Sequence, residues 1–389
     1  MTTAQMAVDA QSPGWKISYE PMVATVAIDA RMLGFTGIGT YLTTLLENFA
    51  LIDTDFQFDV LCSGGRLPHN LLVDKFRFVP AAAPIYGLRE QCEIAWLARD
   101  DDLLHCPHYN IPCFYSGKLV VTIHDLTHLL YRELLPNRLA YPYARLMLAA
   151  AVKHATRIIT VSEFSKQSIQ EQLGVPAEKI RVIYNGLPEP FISHPEEPEP
   201  GALRRMGVAS PFILFVGRLT PHKNVGALIR SFARLPADRR NGTQLVIAGR
   251  KDSDYPRLEL LVNELRLGDR VVFTGHVPRA DLVALYAGAK VFALVSLNEG
   301  FGLPALEAMA YGVPVVASNN SSLPEVVGDA GLLVDPRDEN EIVNALERVL
   351  SEPSLSQRLG KLGRERAQLF SAREAAQEHL KVYREALSA

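Results

Sequence analysis

Little in this chain points to a membrane, an oxidising compartment or nucleic acid. No stretch approaches the roughly 18 uninterrupted apolar residues of a membrane-spanning helix. Met1–Pro21 has neither a basic start nor an apolar run, so it does not read as a secretory signal. Cysteine is scarce: Cys62, Cys92, Cys106 and Cys113 all fall in the first third and match no CxxC spacing. They are expected as free thiols of a reducing compartment. His105-Cys106-Pro107-His108 with Cys113 invites a zinc reading, but the spacing fits no ligand pattern, and no metal is expected. A formal net charge of −3 offers nothing to a phosphate backbone, so nucleic acid is not expected as a partner. Neither a GxxxxGK[ST] loop nor a GxSxG elbow occurs. Gly37-Ile38-Gly39 opens a GxGxxG whose third glycine is missing, Leu42 standing there, which speaks against a dinucleotide-dependent dehydrogenase.

What the chain does have is length and alternation. Its 389 residues, 48% hydrophobic and 21% charged, fit two globular domains of ordinary composition. Short apolar runs alternate with helical stretches, the pattern of βαβ units and parallel sheets. Strands are expected at Val23–Asp29, Phe56–Leu61, Leu119–Ile123, Arg157–Val161 and Ile180–Tyr184, then at Phe212–Val216, Gln244–Ala248, Val271–Thr274, Val291–Leu294 and Val315–Ala317. The proline-rich, acidic stretch Gly186–Gly201 cannot form a core element. The expected division is therefore 1–187, with Met1–Pro21 a poorly ordered lead-in, a linker over 188–205, a second unit over 206–371, and a final helix over 372–389. The fold class is α/β: two Rossmann-like domains with parallel sheets facing across a cleft.

Four segments carry candidate chemistry. Glu299 and Glu307 bracket Gly300-Phe301-Gly302-Leu303-Pro304 between a buried strand and a helix, and carboxylates suit polyhydroxyl ligands. Alternatively they are a solvated loop acid and a helix-surface acid. Arg218 and Lys223 follow Gly217 in the turn after Phe212–Val216, where a guanidinium, an ammonium and a helix N-terminus could converge on a diphosphate. Solvated loop residues are the plain alternative. Glycines 37 and 39 let backbone N–H groups approach phosphate, or simply satisfy a turn. His124-Asp125 closes a buried strand at the expected cleft. Ser162 reads as a helix N-cap rather than a nucleophile.

Together these segments resemble the retaining GT-B glycosyltransferases of the large group-1, family-4 class. Glu299-x7-Glu307, Gly217-Arg218-x4-Lys223-Asn224, Ile123-His124-Asp125, Val161-Ser162, Tyr184-Asn185-Gly186 and Pro324-Glu325 carry the resemblance, from about Val26 to Asp335. It implies an N-terminal acceptor domain, a C-terminal domain holding a nucleotide sugar, and a last helix crossing back to the first domain. It also implies ribose hydroxyls on Glu307, transferred-sugar hydroxyls on Glu299, and the diphosphate on Arg218 and Lys223, aided by Gly37-Ile38-Gly39. His124 is implied beside the donor sugar, and Arg250, Lys251, His276 and Val277 near the base.

The expected function is retaining, metal-independent hexosyl transfer to a saccharide or polyprenyl-linked acceptor in bacterial surface polysaccharide assembly. Asp29-Ala30-Arg31 with Gly37-Ile38-Gly39 looks most similar to mannosyltransferases that use GDP-mannose; a UDP sugar is the alternative donor. The nucleotide sugar is a co-substrate, and no cofactor is expected. A glycoside hydrolase would need no grip on a diphosphate. An epimerase would need no acceptor, and a sugar-nucleotide-binding regulator would bind without turnover. A cytosolic protein is expected, with contact to the inner face of a membrane left open. Arg138, Arg145 and Lys153 lie within about 80° on a helix of about 3.6 residues per turn, a basic stripe for lipid headgroups or simply a solvated face.

Overall fold

The computed structural model of the protein describes residues 23–35, 37–63, 74–132, 139–188 and 197–389. Thr36, Arg138 and the lead-in up to residue 22 lie outside them. Two parallel sheets organise the chain. The first has β1 (Ala24–Asp29), β2 (Phe56–Cys62), β3 (Phe76–Pro80), β4 (Leu103–Cys106), β5 (Lys118–Thr122), β6 (Arg157–Thr160) and β7 (Ile180–Val182), in the order β3-β2-β1-β4-β5-β6-β7. The second has β8 (Phe212–Val216), β9 (Gln244–Ala248), β10 (Val271–Gly275), β11 (Val291–Leu294), β12 (Val315–Ser318) and β13 (Gly331–Val334), in the order β10-β9-β8-β11-β12-β13.

Every expected strand forms, within a few residues at its ends. Three others went unread: β3, β4 and β13. The β4 run Leu103-Leu104-His105-Cys106 is only four residues long and holds a histidine, so its apolar signal is weak. Yet it is wholly buried between β1 and β5.

Helices on both faces cover the sheets, as parallel strands require. Around the first sheet are α1 (Ile38–Leu51), α2 (Leu88–Leu97), α3 (Ala140–His154) and α4 (Glu163–Leu173). Around the second are α5 (Val225–Ala233), α6 (Tyr255–Glu264), α7 (Arg279–Gly288), α8 (Leu303–Ala310), α9 (Glu339–Ser351) and α10 (Pro353–Ala367). The last helix, α11 (Ala372–Ser388), starts at Ser371, whose hydroxyl accepts from the Glu374 N–H. Its buried stripe of Ala376, Leu380, Tyr383 and Ala386 follows the 3–4-residue spacing of one helix face. That stripe joins the core of the first sheet, against α1, β4 and β5.

Among the described residues the chain leaves the first sheet after Leu187 and returns to it at Ser371, and these two segments lie side by side. Leu187 bridges Ser371 in parallel, its N–H bonding the Phe370 carbonyl while the Ala372 N–H returns to its own carbonyl. Leu187, the last residue of the expected first domain, is buried in the core of the second sheet, and Val161 from the exit of β6 joins the same cluster. Within 188–205, residues 189–196 lie outside the described set, and Ala202–Arg205 is a helical turn whose Ala202 is buried.

Candidate functional site

Strand order decides where a ligand can sit. Each sheet begins in its middle and grows outwards both ways, so neighbouring chain excursions diverge at one gap. In the second sheet that gap lies between β8 and β11, in the first between β1 and β4. Ligands of open α/β sheets bind outside the carboxyl ends of the strands at such a point. The loop after β8 carries Gly217, Arg218 and Lys223, and the loop after β11 carries Glu299 to Gly302. Continuing outwards, the β9 exit carries Arg250 and Lys251, and the β10 exit His276 and Val277.

Lys223 and Glu299 meet at that gap. The ammonium donates to both carboxylate oxygens, at 2.8 and 2.7 Å, and both side chains are largely buried. Ser296 Oγ adds a 2.7 Å bond to Oε1. The backbone is fixed too: the Glu299 N–H donates to Ser321 Oγ at 3.1 Å, and Ser322 Oγ donates to the Glu299 carbonyl at 3.0 Å. Glu299 thus sits in a pinned loop five residues past β11, between the expected buried strand and helix.

Arg218 is brought to the same edge but to a different carboxylate. Its Nε and one terminal nitrogen donate to Asp252 Oδ2 at 2.8 and 2.5 Å, and the side chain is more than half exposed. The two cations therefore do not share an acceptor in this state. His222 lies among the charges. Burial foremost, then the Lys223 ammonium and more distantly Arg218, hold it down at about 4, against the opposing pull of Glu299 and Asp125. Asp125 belongs to the first domain, so charges of both domains converge on one imidazole. Asp252, His222 and Ser296 were not singled out in the sequence; only the polar run Gly249–Asp254 hinted at Asp252.

Glu307 occupies the second turn of α8. It is partly buried, and its Oε2 accepts from the Tyr286 hydroxyl of α7 at 2.6 Å. Burial pushes its carboxyl up to about 7, against the Tyr286 bond and the attraction of Arg279. The acid therefore bonds to the helix that follows β10. Between the two acids, Gly302 takes φ +100°, a backbone region that side chains avoid, to start α8 at Leu303, with Pro304 in its first turn. Phe301 is buried. On the outer side Lys251 donates to Tyr255 Oη at 2.9 Å and rests over that ring, Arg250 and His276 are exposed, and Val277 packs on the core.

The first domain presents His124 from the exit of β5. Its Nε2 lies 3.0 Å from the Pro107 carbonyl, which can only accept, so Nε2 carries the proton and Nδ1 is the acceptor nitrogen. Burial lowers its pKa, with Asp125 opposing, and the ring is neutral at pH 7. Asp125 caps the next turn by accepting from the Thr127 N–H at 2.7 Å. Gly37 stands at the N-terminus of α1, followed by Ile38 and Gly39. His105, from the rejected zinc cluster, is fully buried and bonded to Thr122 and Tyr383, and Cys106 is buried beside it.

Both domains touch at the Glu299–Gly302 loop. Ser162 accepts from the Ser165 N–H as an N-cap and also donates to the Gly300 carbonyl at 2.8 Å. A Cβ on Gly300 would come within 2.8 Å of the His124 carbonyl. Asn298 donates to Thr127 Oγ1 at 3.0 Å. Glu325 reaches across to accept from the N–H groups of Glu163 and Phe164, at 2.9 and 3.0 Å, at the start of α4.

Comparison with known proteins agrees with this arrangement. Residues 35–189 match the family model described as Glycosyltransferase Family 4, and residues 207–366 the one described as Glycosyl transferases group 1. The chain is 30% identical over 367 residues to O-antigen chain mannosyltransferase B of Escherichia coli, covering 90% of this chain and 96% of that one. Among solved structures, sucrose-phosphate synthase from Thermosynechococcus elongatus superposes with a TM-score of 0.77 at 25% identity, covering 94% of this chain and 99% of that one. Anabaena HepE in complex with UDP-glucose superposes at 0.75 and 21% identity, over 93% and 99%. Two parallel-sheet domains meeting at a charged cleft, matched in sequence along nearly their whole length, place this chain among the group-1, family-4 glycosyltransferases of GT-B fold.

Proposed function

We propose that this glycosyltransferase moves mannose from GDP-mannose, with retained anomeric configuration, onto a saccharide acceptor in surface polysaccharide assembly. The observation that carries the reading is the Lys223–Glu299 pair at the β8/β11 gap, with Arg218 beside it and His124 on the facing domain. Leaving diphosphate gathers negative charge as the sugar–phosphate bond breaks. Lys223 and Arg218 stabilise that charge from fixed positions, which makes a metal ion unnecessary for the step. Gly37 and Ile38 at the start of α1 add backbone N–H groups, while the Gly39 N–H is held by the Phe35 carbonyl at 2.8 Å. Glu299 accepts from hydroxyls of the sugar, and Glu307 from those of the ribose. His124 Nδ1 accepts from a sugar hydroxyl. The acceptor oxygen bonds to the anomeric carbon on the face that the diphosphate leaves, and the acceptor proton passes to the departing phosphate oxygen. Contact between the domains at Gly300 keeps water from the donor.

The mannose assignment is supported by the E. coli relative, an O-antigen chain mannosyltransferase. Structural likeness to HepE with UDP-glucose favours the second reading, a UDP sugar. A thermal-shift panel of GDP-mannose, UDP-glucose, UDP-N-acetylglucosamine and their free nucleotides separates the two. A ligand at 100 times its Kd stabilises by about 2.7 kcal/mol. The largest shift is expected from GDP-mannose, and a larger one from either UDP sugar refutes the donor. A lipid-linked acceptor would bring α3 to a membrane surface, where Arg145, Lys153 and the exposed Leu146 stand outwards. Failure to co-sediment with anionic vesicles at low salt removes that part.

A further inference from the structure

Beside His124 runs a buried file of polar groups that glycosyl transfer, as described, leaves unused. The Tyr383 hydroxyl lies 2.7 Å from His105 Nδ1, and His105 Nε2 lies 2.8 Å from Thr122 Oγ1. Thr122 Oγ1 is 3.0 Å from the Tyr41 hydroxyl, which is 2.7 Å from His379 Nε2. His379 Nδ1 ends the file 2.7 Å from the Ala375 carbonyl.

That carbonyl fixes every proton. It can only accept, so His379 Nδ1 carries hydrogen, and Nε2 of the neutral ring accepts from Tyr41. With its one proton committed, Tyr41 accepts from Thr122. Thr122 in turn accepts from His105 Nε2–H, and His105 Nδ1 accepts from Tyr383. The file is satisfied and runs one way. Burial holds both imidazoles neutral, lowering His105 well below its usual range and His379 to about 4.

Tyr41 is where the file meets the site. Its ring stands at 87° to the His124 ring, with centroids 4.9 Å apart. Both ends of the file, Tyr383 and His379, belong to α11, which apolar Ala376, Leu380 and Ala386 already fasten to this core. Docking alone therefore does not call for five buried polar groups, whereas a fully satisfied network specifies one geometry.

We propose that α11 positions the cleft imidazole: His379 fixes the Tyr41 hydroxyl, and the Tyr41 ring fixes the plane of His124. This rests on the reading of His124 as a donor-sugar contact. The test compares His379→Phe and Tyr41→Phe with His379→Gln, whose amide oxygen can still accept from Tyr41. Turnover is read as GDP released from GDP-mannose with methyl α-mannoside as acceptor, alongside side-chain nitrogen spectra of histidine-labelled protein. Both Phe variants should lower kcat about tenfold, as loss of an orienting partner does, while KM for GDP-mannose stays within about twofold and the His124 nitrogens shift. His379→Gln should restore kcat to within about threefold. The wild-type spectrum should show His379 protonated on Nδ1 and His105 on Nε2. A lower melting temperature with unmoved kcat and unmoved His124 resonances overturns the proposal. Should His379→Phe not fold, Tyr41→Phe decides, and should these sugars give no turnover, the His124 resonances decide. His124→Ala separates the two readings. Full turnover there refutes the role of His124, and lost turnover there with normal kcat in both Phe variants refutes only the positioning.

Discussion

Replacing Glu307 by Gln should make the protein more stable and a poorer donor binder at the same time. Burial raises the folded carboxyl from 4.5 to about 7. At about 1.36 kcal/mol per tenfold change, holding that group ionised costs the folded state on the order of 3 kcal/mol. The sign follows from proton counts. Between about pH 4.5 and 7 the folded state binds more protons than the unfolded chain, so stability falls as pH rises through that window, and the loss is complete above it. Gln is neutral throughout, and its carbonyl can still accept the Tyr286 hydroxyl that now reaches Oε2 at 2.6 Å. At pH 8 the variant should therefore gain up to about 3 kcal/mol, several degrees in Tm at roughly 2–4 °C per kcal/mol. At pH 4.5 the two proteins should melt nearly together. GDP-mannose binding should move the other way. Hydrogen bonds to an ionised group are worth about 1.5–3 kcal/mol, so losing the charge weakens binding roughly 10- to 100-fold at pH 8. For the same reason wild-type affinity should rise with pH through about 7, a slope absent from the variant. Scanning calorimetry at both pH values and titration calorimetry with GDP-mannose read both effects. A variant no more stable than wild type at pH 8 refutes the buried-charge argument; unchanged affinity refutes the ribose role.

Lys223→Ala strips the Glu299 carboxylate of the ammonium that both its oxygens accept. Breaking a largely buried pair should cost about 3–5 kcal/mol, which a denaturant melt reads, and Glu299→Gln added to it should recover part of the loss. Turnover should fall about 10²- to 10³-fold, the usual effect of removing one charge-stabilising donor, and a rate within threefold of wild type would discard the assignment. Gly300→Ala sets a methyl within 2.8 Å of the His124 carbonyl and wedges the two domains at their contact. Melting should barely change while kcat drops by up to about 100-fold, the scale of a 1 Å misplacement; normal turnover would show that this contact opens before chemistry.

Much of the site was readable because its residues lie in short strand–turn–helix segments whose signals are local. Val291–Leu294 announces a buried strand, Gly302 and Pro304 a turn into a helix, and Ser162 a cap, all from residue chemistry within a few positions. What stayed hidden depends on pairings far apart in sequence. His105 had no partner in the sequence once its zinc spacing failed, and Thr122 and Tyr383, 17 and 278 residues away, are what enclose it. Arg218 and Lys223 read as one anion grip, yet Asp252 and Glu299 hold them separately.

By itself, then, the order of residues determined the two parallel-sheet domains and the identity of the charged groups at their strand exits, because apolar runs, glycines and prolines constrain their own neighbourhood. Only the tertiary structure decided that β8 and β11 lie side by side, that Gly300 touches the facing domain and that α11 ends against β4 and β5. Those contacts join segments tens to hundreds of residues apart, and they are selected by burial and hydrogen-bond satisfaction over the whole molecule, which no local pattern encodes.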